Sequence, residues 1–117
     1  MTPFGEKLRA LREKKGISQA ALAKAVGVSP AYLSALEHGQ RGKPGWALVQ
    51  DIIQFFEIIW DEAEELETLA RLSHPRVTVD TAGLHPKATE LANRLARDVG
   101  QLSEEHLDQM LDILIKK

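Results

Sequence analysis

Ala31, Ser34, Ala35 and His38 recur at i, i+3, i+4 and i+7, so they share one face of any helix built there. Their chemistry is recognition rather than bond making: a hydroxyl and an imidazole exchange hydrogen bonds, and two methyls make apolar contacts. Just beyond them, Gln40-Arg41-Gly42-Lys43-Pro44 is a loop by composition, and it carries two fixed positive charges well placed for phosphate. Other chemistries lack their parts. The four histidines, His38, His74, His85 and His106, form no i, i+4 pair and have no neighbouring cysteine, so no metal is expected. No nucleophile–base arrangement or phosphate-cradling glycine loop appears. Glu62, Glu64 and Glu65 have the pattern of a solvated helix face. The sequence predicts neither an enzyme nor a cofactor.

Two short helices must position that face. Ser18 can cap the first, which carries Leu22, Ala23 and Val26 on one side, and Gly27 can close it in the left-handed conformation. Ser29 followed by Pro30 starts the second, because the serine oxygen satisfies free N–H groups and proline at the first position loses no useful donor. Gly39 is expected to stop it. Leu33 and Leu36 point inward, opposite the polar and alanine face. Two short helices, a tight turn and an open face on the second describe a helix-turn-helix, whose second helix lies in the major groove of DNA.

In order and spacing, Gly16, Ser18-Gln19, Leu22-Ala23, Gly27-Val28-Ser29, Leu33-Ser34, Leu36-Glu37, Gly39, Arg41 and Pro44 make the stretch from Pro3 to Phe56 resemble the lambda-repressor-like, or XRE-type, helix-turn-helix regulators. The resemblance implies double-stranded DNA as partner. It nominates Ser29, Pro30, Ala31, Tyr32, Ser34, Ala35 and His38 near bases, with Tyr32 placed either to contact phosphate or to pack. It also implies phosphate contacts from Gln19, Arg41 and Lys43, and an ion pair between Arg12 and Glu37 that ties the first helix to the third. This chain departs from better-known members by placing alanines where they often have Gln, Asn or Arg, so no side chain on the helix can make a bidentate contact with guanine or adenine. Selectivity must come from methyl contacts of Ala31 or Ala35 with thymine, from Ser34 and His38, and from DNA shape.

Charge separates along the chain. Residues 1–50 hold eight Lys/Arg against three acids, a net of +5, whereas residues 51–117 hold seven against fourteen, a net of −7. The basic front matches a phosphate surface, and the acidic back is free for partners or self-association. A length of 117 residues supports one compact unit or a small domain with an appendage. The absence of cysteine fits a reducing compartment, and no signal peptide or apolar run long enough for a membrane appears, so a cytoplasmic location is expected.

The remaining elements read as follows. Thr2 and Pro3 open a first helix with Phe4, Leu8 and Leu11 as its stripe, closed by Lys14-Lys15-Gly16. Pro44 is placed to start another, with Trp46, Val49, Ile52, Ile53 and Phe56 as core beneath the reading helices. Asp61 is expected to cap the next, with Ala63, Leu66, Leu69 and Ala70 inward and Glu67 paired to Arg71 at i, i+4. Residues 76–81 alternate valine with polar types, which predicts a short strand pairing with its copy across a dimer axis; an extended linker is the alternative. After the turn at Ala82–Pro86, a helix carries Ala88, Leu91, Ala92, Leu95 and Val99, Gly100 breaks it, and Ser103 caps a last helix with Leu107, Met110, Leu111 and Leu114.

The expected fold class is all-α: a helix-turn-helix domain at 1–73, then a C-terminal region at 74–117 of one short strand and two amphipathic helices. Val77, Val79, Leu91, Leu95, Val99, Leu107, Met110, Leu111 and Leu114 are its dimerisation residues. The function expected is a DNA-binding regulator acting as a homodimer on a near-palindromic operator. The alternative is an antitoxin-like or antiactivator-like protein whose acidic C-terminal half binds a protein partner.

Overall fold

Thr2 and Pro3 start a helix for the reasons their chemistry gives. In the computed structural model, which describes residues 1–116, α1 runs Pro3–Lys15, and Thr2 Oγ1 accepts the Gly5 N–H at 3.0 Å. Every free donor of its first turn is accounted for. Pro3 has none, the Glu6 N–H donates to Thr2 O at 2.9 Å, and the Phe4 N–H donates to Ser73 Oγ at 2.9 Å. Ser73 is buried and its hydroxyl donates in turn to Leu69 O at 2.6 Å, so one side chain joins the ends of two helices.

The chain divides into two compact units, Met1–Val77 and Thr78 onward. In the first, α2 (Gln19–Val26), α3 (Pro30–Glu37), α4 (Trp46–Phe56) and α5 (Trp60–Arg71) follow α1. The packing partners are α1 with α3 and α5, α2 with α3 and α4, and α4 with α5. Each helix contributes to one core: Phe4 and Leu8 from α1, Leu22 and Ala23 from α2, Leu33 from α3, Val49 and Ile52 from α4, and Leu66 and Ala70 from α5. Full burial of such large apolar side chains contributes about 1.5–3 kcal/mol each, which holds five short helices that could not persist singly.

Several local expectations are corrected. Pro44 is buried but does not start α4; Gly45 is its N-cap and Trp46 its first residue. Trp46 is 68% exposed and does not join the core, because a side chain in the first turn of α4 lies ahead of the stripe formed by Val49 and Ile52. Asp61 does not cap α5. Ile59 holds the cap position without a side-chain bond, while Asp61 and Glu62 lie in the first turn, where the positive helix end favours them. Glu67 is not paired with Arg71: its Oε2 accepts from Gln50 Nε2 of α4 at 2.7 Å, and Arg71 donates to Thr68 Oγ1 at 3.1 Å. The bond joins α4 to α5 in a partly buried setting, where it is less screened than an exposed pair along one helix.

The expected strand at 76–81 does not form, and among the described residues there is no strand. An extended segment needs a neighbour to take its N–H and C=O groups, and one copy of the chain offers none. Val77 and Val79 are exposed there, and Asp80 Oδ1 accepts the Ala82 N–H at 2.9 Å, turning the chain.

In the second unit, α6 (Pro86–Asp98) runs into a 3₁₀ turn at Val99–Gln101, and α7 (Glu104–Ile115) follows. His85 caps α6, its Nδ1 accepting the Lys87 N–H at 3.0 Å, and Ser103 Oγ caps α7 by accepting from His106 at 3.1 Å. Neither helix has a buried residue. Leu91, Leu95, Val99, Leu102 and Met110 line a groove of about 170 Å³. No helix among the described residues is long and apolar enough to cross a membrane.

Candidate nucleic-acid interface

The turn between α2 and α3 is short because each end is chemically closed. Ser18 Oγ accepts the Ala21 N–H at 3.0 Å, and Ser29 Oγ accepts the Tyr32 N–H at 3.1 Å. Between them Gly27 takes a left-handed φ of 79°, a conformation costly for any residue with a Cβ. α3 itself ends at Glu37 with His38 as its C-cap, and Gly39, one residue on, carries the positive φ that turns the chain away.

Burial divides α3 into two faces. Leu33, Leu36 and Glu37 are buried; Ser29, Pro30, Ala31, Tyr32 and His38 are exposed, and Ser34 and Ala35 are half-buried. His38 Nδ1 lies 2.9 Å from Ser34 O, and since a carbonyl only accepts, Nδ1 carries the proton. The neutral ring then presents Nε2 as an acceptor, suited to the exocyclic amines of adenine or cytosine. The open side of the helix therefore offers the hydroxyls of Ser29, Tyr32 and Ser34, one imidazole nitrogen and two methyls.

Glu37 fixes α3 against its neighbours. Its side chain is 1% exposed; Oε1 lies 3.6 Å from Arg12 Nε of α1, and Oε2 accepts from Gln19 Nε2 of α2 at 2.8 Å. The contact with Arg12 is an ion pair too long for a hydrogen bond, and both facing atoms are without another partner among the described residues. Gln19 thus has one amide hydrogen committed inward, which leaves its second N–H for an outside acceptor.

The carbonyl of Glu37 is held as well. It accepts from Thr2 N at 2.9 Å and Thr2 Oγ1 at 3.3 Å, so the start of α1 lies across the end of α3. Gly5 makes that approach possible, since a Cβ built on it would overlap the Glu37 carbonyl oxygen and lie 2.8 Å from its Cα. Gly5, Thr2 and Ser73 position the site, and sequence reasoning assigned none of them to it. The one available signal was a glycine inside a helix, where alanine is favoured unless something lies close.

Beyond α3, Arg41 and Lys43 are both exposed, and neither forms an ion pair among the described residues. The structure therefore gathers the half-buried Arg12 and Gln19 around the buried Glu37 and leaves Ala31, Tyr32, His38 and the loop cations exposed. The nine proposed dimerisation residues, except Val77, fall in the second unit; of these Leu107 and Met110 are half-buried and the rest are exposed.

A family model described as a helix-turn-helix domain matches residues 3–67, which end within α5. The chain is similar to three proteins of Bacillus subtilis (strain 168). To the HTH-type transcriptional repressor RghR it is 39% identical over 61 residues, 52% of this chain and 45% of that protein. To the uncharacterized HTH-type transcriptional regulator YazB it is 39% identical over 59 residues, 50% of this chain and 84% of that protein. To the uncharacterized HTH-type transcriptional regulator RghRB it is 33% identical over 61 residues, 52% of this chain and 44% of that protein. The chain belongs to the XRE-type helix-turn-helix regulator family. Its match spans less than half the length of RghR and of RghRB, and α6 and α7 lie outside the matched domain. A chain from a SinR protein/SinI protein complex aligns with 95% of this chain and 93% of its own length, with a TM-score of 0.46 and 22% identity.

Proposed function

We propose that the protein is a transcriptional regulator that binds a near-palindromic operator as a homodimer, with one α3 from each copy in successive major grooves roughly 34 Å apart. The observation that carries this reading is the exposed Ala31, Tyr32 and His38 of α3 with two exposed cations beside them that have no ion-pair partner among the described residues, inside a helix-turn-helix domain. Ser29, Pro30, Ala31, Tyr32, Ser34, Ala35 and His38 meet the groove, while Arg41, Lys43 and the second N–H of Gln19 meet phosphate. Repression, the mode RghR is named for, is the regulatory sense we infer. The reading also makes the protein cytoplasmic and gives it no catalytic role.

The second unit supports the homodimer. Two amphipathic helices without a buried residue need an outside surface, and an identical hairpin supplies one of matching length and apolar content. A second reading has its own support. α7 carries Glu104, Glu105, Asp108 and Asp112 beside exposed leucines, a surface that also suits a different protein, as in an antitoxin or antiactivator.

Selection of bound sequences from random duplex DNA, with a solution mass of the free protein, separates the two. The first predicts a two-fold symmetric motif, a dimer mass and affinity that falls steeply with salt, with Arg41→Ala or Lys43→Ala lowering the log–log slope by about one on every sequence. No enrichment of any sequence and a salt-insensitive complex with another protein would favour the second.

A further inference from the structure

The turn after α3 packs on the segment after α5. A Cβ built on Gly39 would lie 3.5 Å from Pro75 Cβ, and one on Gly42 would lie 3.7 Å from His74 Nε2. The imidazole edge of His74 therefore faces the tip of the turn, whose flanking residues are Arg41 and Lys43, across about the space of one methyl group. Its tautomer is set on the other side of the ring. The Arg76 N–H donates to His74 Nδ1 at 3.1 Å, so that nitrogen bears a lone pair and the ring proton is on Nε2. Neither stretch contains an acid: residues 38–50 and residues 72–79 have no Asp or Glu. Arg41, Lys43, His74 and Arg76 are all exposed, and the three cations have no carboxylate partner among the described residues.

We propose that His74 and Arg76 extend the phosphate-binding surface, gripping the backbone of the same duplex that α3 enters, with Nε2–H of His74 as a neutral donor and Arg76 as a charge. The site joins two stretches more than thirty residues apart, and it forms because the turn and the α5 exit are packed together within the first unit. Backbone contacts of this kind set register and affinity without reading sequence. The proposal rests on the DNA-binding reading above.

The test is duplex binding by the full chain, followed by fluorescence anisotropy between 50 and 200 mM salt, roughly the range over which phosphate contacts dominate. Arg76→Ala should lower the slope by about 0.9, which shrinks the affinity ratio across that range about 3.5-fold, on selected and unrelated duplexes alike. The substitution leaves the backbone bond to His74 in place. His74→Ala should weaken both duplexes with little change in slope, since it removes a donor and no charge. Arg9→Ala, an equal loss of charge at an exposed site on α1, should leave the slope unchanged. A slope drop for Arg41→Ala or Lys43→Ala with none for Arg76→Ala would overturn this inference and leave the DNA reading standing. An equal drop for Arg9→Ala would reduce the effect to net charge and overturn it too, and a chain that binds no duplex would overturn both.

Discussion

Gly5→Ala places one methyl between two backbones. The new Cβ would overlap the carbonyl oxygen of Glu37 and sit 2.8 Å from its Cα, and neither atom can rotate aside as a side chain would. The start of α1 must lift off the end of α3, straining a core that contains Phe4 at a cost of about 1–3 kcal/mol. The lift also loosens the two bonds from Thr2 to Glu37 O, at about 1 kcal/mol each. Against this, alanine gains about 1 kcal/mol over glycine inside a helix. The balance is a loss of about 2–4 kcal/mol, or a fall in Tm of at least ~8 °C for a unit of this size. Urea and thermal denaturation followed by circular dichroism measure it, with Gly100→Ala as comparison, since a Cβ there meets nothing within 4 Å. A Gly5→Ala protein within about 0.5 kcal/mol of the parent would refute the close approach of α1 and α3, and with it this account of how the reading helix is held.

Ser73→Ala strands the buried Phe4 N–H and should cost about 1–3 kcal/mol in urea denaturation, whereas Thr68→Ala, which removes only an exposed bond to Arg71, should cost under about 0.5. Glu37→Leu leaves the half-buried Arg12 without its partner and should cost about 1–3 kcal/mol; adding Arg12→Met should restore most of that, and a double mutant as weak as the single would show that the pair itself is indispensable. Leu95→Glu or Leu111→Glu should weaken self-association by about 3 kcal/mol, roughly a hundredfold in Kd, read by sedimentation against concentration.

Features determined within one or two turns of chain were legible in the sequence. Ser18, Ser29 and Ser103 cap the helices assigned to them, and Phe4, Leu8, Leu22, Leu33, Val49, Ile52 and Leu66 form the core their periodicity implied. Features that depend on what comes near from elsewhere were not. Gly5 matters only because Glu37 arrives beside it, and Glu67 leaves Arg71 because Gln50 is within reach. The valine alternation at 76–81 is a real β pattern, but a pattern supplies no second strand. The start of α5 was missed for another reason: Glu57 and Trp60 both take left-handed φ values, 55° and 53°, which no propensity assigns to residues with large side chains. Within the site, Ala31 and His38 are exposed as their spacing implied while Ser34 and Ala35 are half-buried, and the inward bond of Gln19 required knowing how α2 crosses Glu37.

The uncovered faces of α6 and α7 carry a consequence for dosage. Helices of 13 and 12 residues are marginal in water when they stand alone, so their order is reinforced by meeting a second surface. Supplied by a twin, that surface makes the amount of ordered chain climb with the square of abundance at low levels. A cell could then set a threshold simply through how much of the chain it makes, with no small molecule to sense.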